Sequence, residues 1–347
     1  MNLKGNKYGT HRVIEPKGVL PQPATIVDND MNKLYDNEIL IDVDVLNIDS
    51  ASFTQIKEQA NGDLNEIKSI IKNIVAKQGK MKNPVTGSGG MLIGTIDKIG
   101  SELAGKINLK EGDRIATLVS LSLTPLFIEE IIDIKPNIDQ VKIKGKAILF
   151  ESGIYAKLPE DLSETLSLAV LDVCGAPAQT ERLVKKGDTV VVLGAGGKSG
   201  ILCCAVAKQI VGEQGMIIGA DYSPANIERL KQSDVCDHAI SLNATDALNC
   251  YETIDQLTDG KLADVVINNV NIPNTEMGSI LMCKDRGTVY FFSMATSFTK
   301  AALGAEGVGK DVDMLIGNGY ALGHADMSID ILRKDEKIRA LYEELYT

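Results

Sequence analysis

The stretch DTVVVLGAGGKSGILCCAVAKQIV, Asp188 to Val211, runs from an apolar segment straight into glycines and out into a second apolar segment. Residues 189–193 read as a buried strand and the segment after Gly200 as a helix. Between them stand Gly194, Gly196, Gly197, Lys198, Ser199 and Gly200. A turn this tight needs residues without a Cβ, so that the backbone can approach a pyrophosphate and offer it the amides of a helix start. Downstream, Met216-Ile-Ile-Gly-Ala reads as a second strand that ends in Asp221. A carboxylate at the tip of the second strand is where a dinucleotide-binding fold receives the ribose hydroxyls of adenosine. Asp221 favours NAD over NADP, because a 2′-phosphate would meet its negative charge. The residues that follow, Tyr222 and Ser223, bring no arginine beside it.

The alternation continues downstream. A helix is expected from Pro224 to Gln232, a strand at 238–242, a helix at 244–257 and a strand at 263–268. A further helix precedes Gly287-Thr-Val-Tyr-Phe-Phe, and Val312 to Ile316 supplies another strand. Strands alternating with helices make a doubly wound parallel sheet of the α/β class. The competing reading, glycines that merely pack a strand against a helix, does not account for the acidic residue in register.

A chain of 347 residues is too long for one ordinary core, so two domains are expected. The hydrophobic fraction of 44% and charged fraction of 24% are those of a globular protein. A net charge of −11 argues against a nucleic-acid partner and is compatible with a cationic substrate. The polar start, MNLKGNKYGTHRVIEPKG, has no signal-peptide core, and the apolar run Ile115 to Ile128 is too short for a membrane span and contains Pro125. A cytoplasmic protein without a membrane segment is expected. The six cysteines form no CxxC pair, so neither a disulfide framework nor a zinc ribbon is suggested.

The first half differs. Short β-like runs at Glu38–Val45, Met91–Ile99, Asp113–Leu118 and Ala147–Phe150 are separated by glycine, proline and asparagine. The segments EILIDVDVLNIDSASF, GGMLIGTIDKIG and LKEGDRIATLV, followed by LSLAVLDVCGAPAQTERLVKKGDTVVVLGAGG, resemble the medium-chain dehydrogenases in order and content. That resemblance implies a GroES-like β-rich catalytic domain at 1–155, a Rossmann NAD-binding domain at 156–319, and a substrate cleft between them. Residues 320–347 either join the first domain or stand apart, because the chain ends in what reads as one helix, Met327 to Leu345, where the superfamily adds a returning strand. It also implies that Val312 to Ile316 could pair across a homodimer.

Many members of this superfamily hold zinc through a cysteine after the first long strand, a histidine in a Gly-His-Glu loop and a later cysteine. The matching positions here read Asn47-Ile-Asp-Ser-Ala-Ser and Gly87-Ser88-Gly89, and only Cys174 corresponds to a ligand. One thiol cannot hold a tetrahedral catalytic zinc, and His11 or His324 would have to arrive from elsewhere. No metal is expected.

Longer phrases resemble one group of these enzymes, the L-erythro-3,5-diaminohexanoate dehydrogenases. They include KYGTHRVIEPKGVLPQPA at 7–24, NIDSASFTQIKE at 47–58, NPVTGSGGMLIGT at 83–95 and KGKAILFESGIYAKLP at 144–159. VNIPNTEM at 270–277 and FFSMATSFTKAALGAEGVGKDVDM at 291–314 continue the likeness. The resemblance implies NAD-dependent oxidative deamination of a diamino acid in lysine fermentation, giving 5-amino-3-oxohexanoate and ammonia. It also places Asn269, within 268–274, and Ser293, within 293–296, beside the nicotinamide.

Such chemistry needs a base, because hydride leaves C3 only when its nitrogen is neutral. Asp172 is the preferred acid–base residue, with Glu151 and Asp49 as alternatives or as holders of the second ammonium. Ser50 and Ser52 share the Asp49 loop. Arg12 and His11 are candidates for the substrate carboxylate and a proton relay, against the plainer reading of a surface ion pair on an N-terminal strand. Cys174 could polarise the reacting centre or simply fill the core. Lys300 and Lys310 could lie near the carboxylate or be solvated lysines. For each acid the competing reading is a structural or solvated carboxylate. A zinc-free quinone or enoyl reductase shares the fold and the missing ligands, and a catalytically silent nucleotide-binding protein would share the glycine turn.

Overall fold

A computed structural model describes residues 3–293, 295–317 and 319–346; Met294, within the expected nicotinamide segment, and Asn318 lie outside them. The chain divides into two compact units, 1–160 and 161–347.

In the first unit a two-stranded ribbon pairs β1 (Val13–Glu15) with β2 (Ile26–Val27). The main sheet contains β3 (Glu38–Asn47), β4 (Met91–Ile99), β5 (Arg114–Thr117), β6 (Leu126–Lys135), β7 (Gln140–Phe150) and β8 (Tyr155–Lys157). Its order is β6-β7-β3-β4-β5-β8, antiparallel throughout. The expected runs are there, but β6 and β7 form a longer hairpin than the apolar runs alone suggest. Its strands carry Glu129, Glu130, Lys142, Lys144 and Lys146 on partly solvated positions, and these charges mask the period of two.

Residues 50–78, given no element from the sequence, form α1 (Ser50–Gln59) and α2 (Leu64–Gln78). The signal for α2 is nevertheless present. Asp63 caps it by accepting from the amides of Asn65 and Glu66, and Ile67, Ile71, Ile74 and Val75 recur at helical spacing on its buried face. Gly79, at φ +72°, ends it. Burying each such side chain contributes about 1.5–3 kcal/mol.

The second unit opens with α3 (Glu164–Leu171) and α4 (Gly175–Leu183). It continues with β9 (Thr189–Leu193), α5 (Lys198–Val211), β10 (Met216–Asp221), α6 (Pro224–Ser233), β11 (His238–Ser241) and α7 (Ala247–Leu257). Then follow β12 (Ala263–Asn268), α8 (Glu276–Met282), β13 (Cys283–Phe291), α9 (Phe298–Val308) and β14 (Asp313–Ile316). All strands run parallel in the order β11-β10-β9-β12-β13-β14, so the order reverses between β9 and β12. Val190, Val191, Val192 and Leu193 are buried on both faces of the sheet, as a central parallel strand requires. This is the doubly wound fold expected from the alternation.

The chain's end differs from the single helix expected over 327–345. It forms α10 (His324–Lys334) and α11 (Glu336–Tyr346), which pack among α3, α4, α5 and α6. Asp335 leaves the helical region at φ −124°, ψ 101°, and its carboxylate accepts from the amides of Lys337 and Ile338. A side chain that caps a new helix competes with continuation of the old one. Among the described residues no helix is long and apolar enough to cross a membrane.

Candidate functional site

The carboxyl ends of β9 and β12 flank the point where strand order reverses, the usual crevice for a ligand in this architecture. Gly194 leaves β9 in the left-handed region at φ +69°, and the Gly197 amide closes the turn on the Gly194 carbonyl at 3.1 Å. Helix α5 then starts at Lys198 with no side chain capping it. Its first amides are therefore available to an acceptor from outside. A Cβ on Gly200 would stand 2.2 Å from the Gly194 oxygen, and one on Gly196 would stand 2.5 Å from Asn226 Cβ. The helix start can press on the turn only because these side chains are missing. Open amides, a positive helix end and an absence of side-chain atoms together fit a pyrophosphate.

Asp221, 8% exposed at the tip of β10, is tied to this turn. Its Oδ2 accepts from the Gly196 amide at 3.1 Å, and its Oδ1 accepts from the Ser223 amide and from Asn226 Nδ2, each at 3.1 Å. Arg229 Nη1 donates to the Gly196 carbonyl at 2.7 Å and to Asn226 Oδ1 at 2.8 Å. Tyr222 is exposed. The arginine that Tyr222 and Ser223 do not supply thus arrives from the next helical turns of α6.

Asp172 caps the C-terminus of α3 on the surface, where Lys198 Nζ donates to its Oδ2 at 3.0 Å. The first residue of α5 is therefore joined to the preferred acid–base candidate. The last helix reaches the same spot: the Tyr342 hydroxyl donates to the Lys198 carbonyl, and the Lys198 ammonium lies 5.3 Å from the centre of the Tyr346 ring. Cys174 points elsewhere. It is buried, its thiol donates to the Leu171 carbonyl at 3.0 Å, and burial pushes its pKa up to about 12. A neutral thiol enclosed in this way fits the packing reading and not that of a polarising group.

At the end of β12, Asn268 is fully buried and donates to the hydroxyls of Thr275 and Ser279 at 2.8 and 2.9 Å. Asn269 follows, its amide bonded to the Leu193 carbonyl and its buried Oδ1 without a hydrogen-bond partner. An acceptor left open beside Gly194 can take a donor from a ligand. Ser293 uses its hydroxyl to accept the Ala295 amide at 3.1 Å. Lys300 donates to Asn274 Oδ1 at 2.6 Å and Lys310 to the Cys283 carbonyl at 2.6 Å, so both are engaged within the unit.

The first unit carries a separate polar cluster. Asp49 caps α1 through Oδ1, which accepts the Ser52 amide at 3.0 Å, while its buried Oδ2 has no hydrogen-bond partner. An unpaired carboxylate oxygen is the acceptor an ammonium group needs. Ser50 is exposed and bonded to Asp139 instead. Ser52 Oγ lies 2.5 Å from Thr86 Oγ1, and Asn83 orders the adjoining loop by accepting the amides of Val85 and Thr86 at 2.8 and 3.2 Å.

Arg12 and His11 do not fit the roles expected of them. Arg12 has no exposed surface; its Nε and Nη2 donate to Glu38 at 2.9 and 2.7 Å, and its remaining donors reach the carbonyls of Asp30 and Lys33. No N–H faces outward for a substrate carboxylate. His11 receives the Asn6 amide on Nδ1 at 2.9 Å and gives its Nε2 proton to Glu38 at 2.8 Å. Burial alone would raise the pKa of Glu38, but the bonds from His11 and Arg12 outweigh it and hold the carboxyl below its ordinary value. The THR phrase therefore encodes a buried ion-pair knot. Glu151, exposed, accepts from Asn37 Nδ2 at 2.9 Å near the same knot.

Arg229, Asn226, Thr86, Asn83, Tyr342 and Tyr346 were given no role from the sequence. Only Arg229 carried a signal, as a cation in the helix after the acidic strand tip. Among the described residues no three His, Cys, Asp or Glu side chains stand together in a way that could hold a metal ion.

Residues 11–159 match the L-erythro-3,5-diaminohexanoate dehydrogenase N-terminal domain. The chain is 62% identical over 344 residues to the L-erythro-3,5-diaminohexanoate dehydrogenase of Acetoanaerobium sticklandii, covering 99% of this chain and 100% of that one. It is 58% identical over 346 residues to the enzyme of the same name from Fusobacterium nucleatum subsp. nucleatum, covering 99% of each. Among solved structures, a mycobacterial quinone oxidoreductase shares the fold with a TM-score of 0.54 at 18% identity, over 94% of this chain and 87% of that one.

Proposed function

The chain belongs to the L-erythro-3,5-diaminohexanoate dehydrogenase family, and from that premise we propose that it deaminates L-erythro-3,5-diaminohexanoate oxidatively to 5-amino-3-oxohexanoate and ammonia, with NAD, as a step of lysine fermentation. The observation that carries this reading is likeness to two dehydrogenases of one name over nearly the whole length, joined to a glycine turn whose acidic partner is Asp221. Gly194, Gly196, Gly197 and Gly200, with the amides of Lys198 and Ser199, would hold the pyrophosphate. Asp221 would take the ribose hydroxyls beside Tyr222, and its charge favours NAD. Asn269 and Ser293 would face the nicotinamide side.

A dinucleotide held by these residues would supply the hydride acceptor for C3 of the substrate. The chain's own task is proton transfer. Asp172 would accept a proton from the 3-ammonium and return it to the departing ammonia, while water supplies the new carbonyl oxygen. Lys198, at 3.0 Å, fixes the direction of that carboxylate. No metal is assigned, in keeping with the missing ligand residues at 47–52 and 87–89. The free cysteines agree with a cytoplasmic setting. The edge strand β14, where Ile316 is 59% exposed, could extend its sheet across a homodimer.

The test is the initial rate of NADH and ammonia formation from NAD and 3,5-diaminohexanoate, with and without a chelator. Equal yields of the two products, unchanged by chelation, are expected. Asp172→Asn should lose about 100-fold or more in kcat with the Kd for NAD retained, the scale of general acid–base catalysis. Near-normal turnover in that variant would remove Asp172 from the mechanism.

A further inference from the structure

Around the glycine turn, four residues close a ring. The Gly196 amide donates to Asp221, Arg229 donates to the Gly196 carbonyl and to Asn226 Oδ1, and Asn226 Nδ2 donates back to Asp221 at 3.1 Å. Asn226 is the hinge of this ring, since one end of its carboxamide engages the guanidinium and the other the carboxylate. Arg229 donates to two neutral oxygens, and among the described residues no carboxylate pairs with it, so its charge is oriented by uncharged partners. Asp221, by contrast, receives three donors and cannot turn away from what approaches the strand tip.

In this architecture an acidic residue at the tip accepts the ribose hydroxyls, whereas an arginine nearby accommodates a 2′-phosphate. Here both are present, and the side chain between them decides which one a nucleotide meets. We propose that Asn226 determines nucleotide specificity by holding Arg229 on the glycine turn and Asp221 toward the ribose, so that NAD is taken and NADP refused. This rests on the reading of the turn as a nicotinamide-dinucleotide seat.

Removing the hinge has a different consequence from removing the cation. In Asn226→Ala, Arg229 loses one of its two acceptors and Asp221 one of its three donors. The guanidinium is then free to meet a 2′-phosphate while the carboxylate is free to withdraw. NADP affinity should rise by about tenfold, roughly one charge-assisted hydrogen bond, and NAD affinity should fall by a few-fold. Arg229→Ala also loosens the turn and weakens NAD, but it brings no gain for NADP. The pair Asn226→Ala with Arg229→Ala should lose the NADP gain. A merely structural role would weaken both nucleotides alike in every variant.

The experiment is direct titration of the full chain with NAD and NADP by calorimetry, without substrate, on the unsubstituted protein and the three variants. Thermal melts confirm that each is folded. If Asn226→Ala does not fold, Asn226→Ser, too short to bridge the guanidinium and the carboxylate, takes its place, with the same opposite movement of the two affinities expected. Opposite movement of the two affinities in Asn226→Ala, reversed by loss of Arg229, is the expected result. An NAD-to-NADP affinity ratio in Asn226→Ala, or in its serine stand-in, within twofold of the unsubstituted protein, or an NADP gain that survives loss of Arg229, overturns the inference. Failure of the unsubstituted protein to bind either nucleotide would instead overturn the reading on which the inference rests.

Discussion

Glu38→Gln isolates the buried knot of the first unit. Both side chains of the Arg12–Glu38 pair have no exposure, and the pair is bidentate at 2.9 and 2.7 Å. Glutamine keeps the shape and removes the charge, leaving the enclosed Arg12 guanidinium with only the partly exposed Asp28 carboxylate, 3.7 Å away, as a counter-ion. Breaking one partner of such a pair costs about 3–5 kcal/mol, and full burial leaves no solvent screening to reduce that figure. A domain of this size shifts its midpoint by about 2–4 °C per kcal/mol, so a fall of roughly 6–20 °C is expected for the transition of the first unit. The pH dependence has a definite sign. The Glu38 pKa is held below its ordinary 4.5, so its contribution is present above that pH and is lost as the pH falls through the folded value. Differential scanning calorimetry at pH 7 and pH 3 measures both effects, with the Kd for NAD as a control on the second unit. The variant should lose most at pH 7 and approach the unsubstituted protein at pH 3, with nucleotide binding unchanged. A midpoint within 2 °C at pH 7 would refute the assignment of Arg12 to the fold and return it to the substrate carboxylate.

Gly200→Ala places a methyl group 2.2 Å from the Gly194 oxygen, so the α5 start must move off the turn; NAD affinity should drop more than tenfold by titration, as expected when a close backbone approach is lost. Cys174→Ser should retain turnover within about threefold, because a thiol whose pKa is pushed up to about 12 by burial holds no charge at the reacting centre; the unsubstituted protein should likewise resist alkylation at Cys174 at pH 8, read by peptide mass spectrometry. Asp335→Ala removes the cap between α10 and α11 and should cost about 1 kcal/mol, seen as a lowered denaturant midpoint at unchanged slope.

Local pattern carried much of the second unit. The run Thr189–Leu193, the glycines after it and Asp221 at the next strand tip follow from chemistry within a few residues of one another, where period and turn geometry act directly. In the first unit the hairpin of β6 and β7 and the helix α2 were less visible, because charged residues on their wet faces dilute the apolar spacing. At the chain's end, the break at Asp335 rests on one capping side chain inside an otherwise helical pattern.

From the sequence alone follow a doubly wound sheet, a glycine turn after one strand and a carboxylate at the tip of the next, because those features depend on neighbours in the chain. Which charges are available to a ligand was decided only by the tertiary structure. Arg12, open in the sequence to either a substrate carboxylate or a surface ion pair, is enclosed with Glu38. Arg229, given no role from the sequence, donates to the Gly196 carbonyl of the glycine turn. Asp172 and Lys198, distant in the chain, meet as a pair. A charge acts through what lies within a few ångströms of it, and for these side chains that neighbourhood is made by the packing of elements far apart in the sequence.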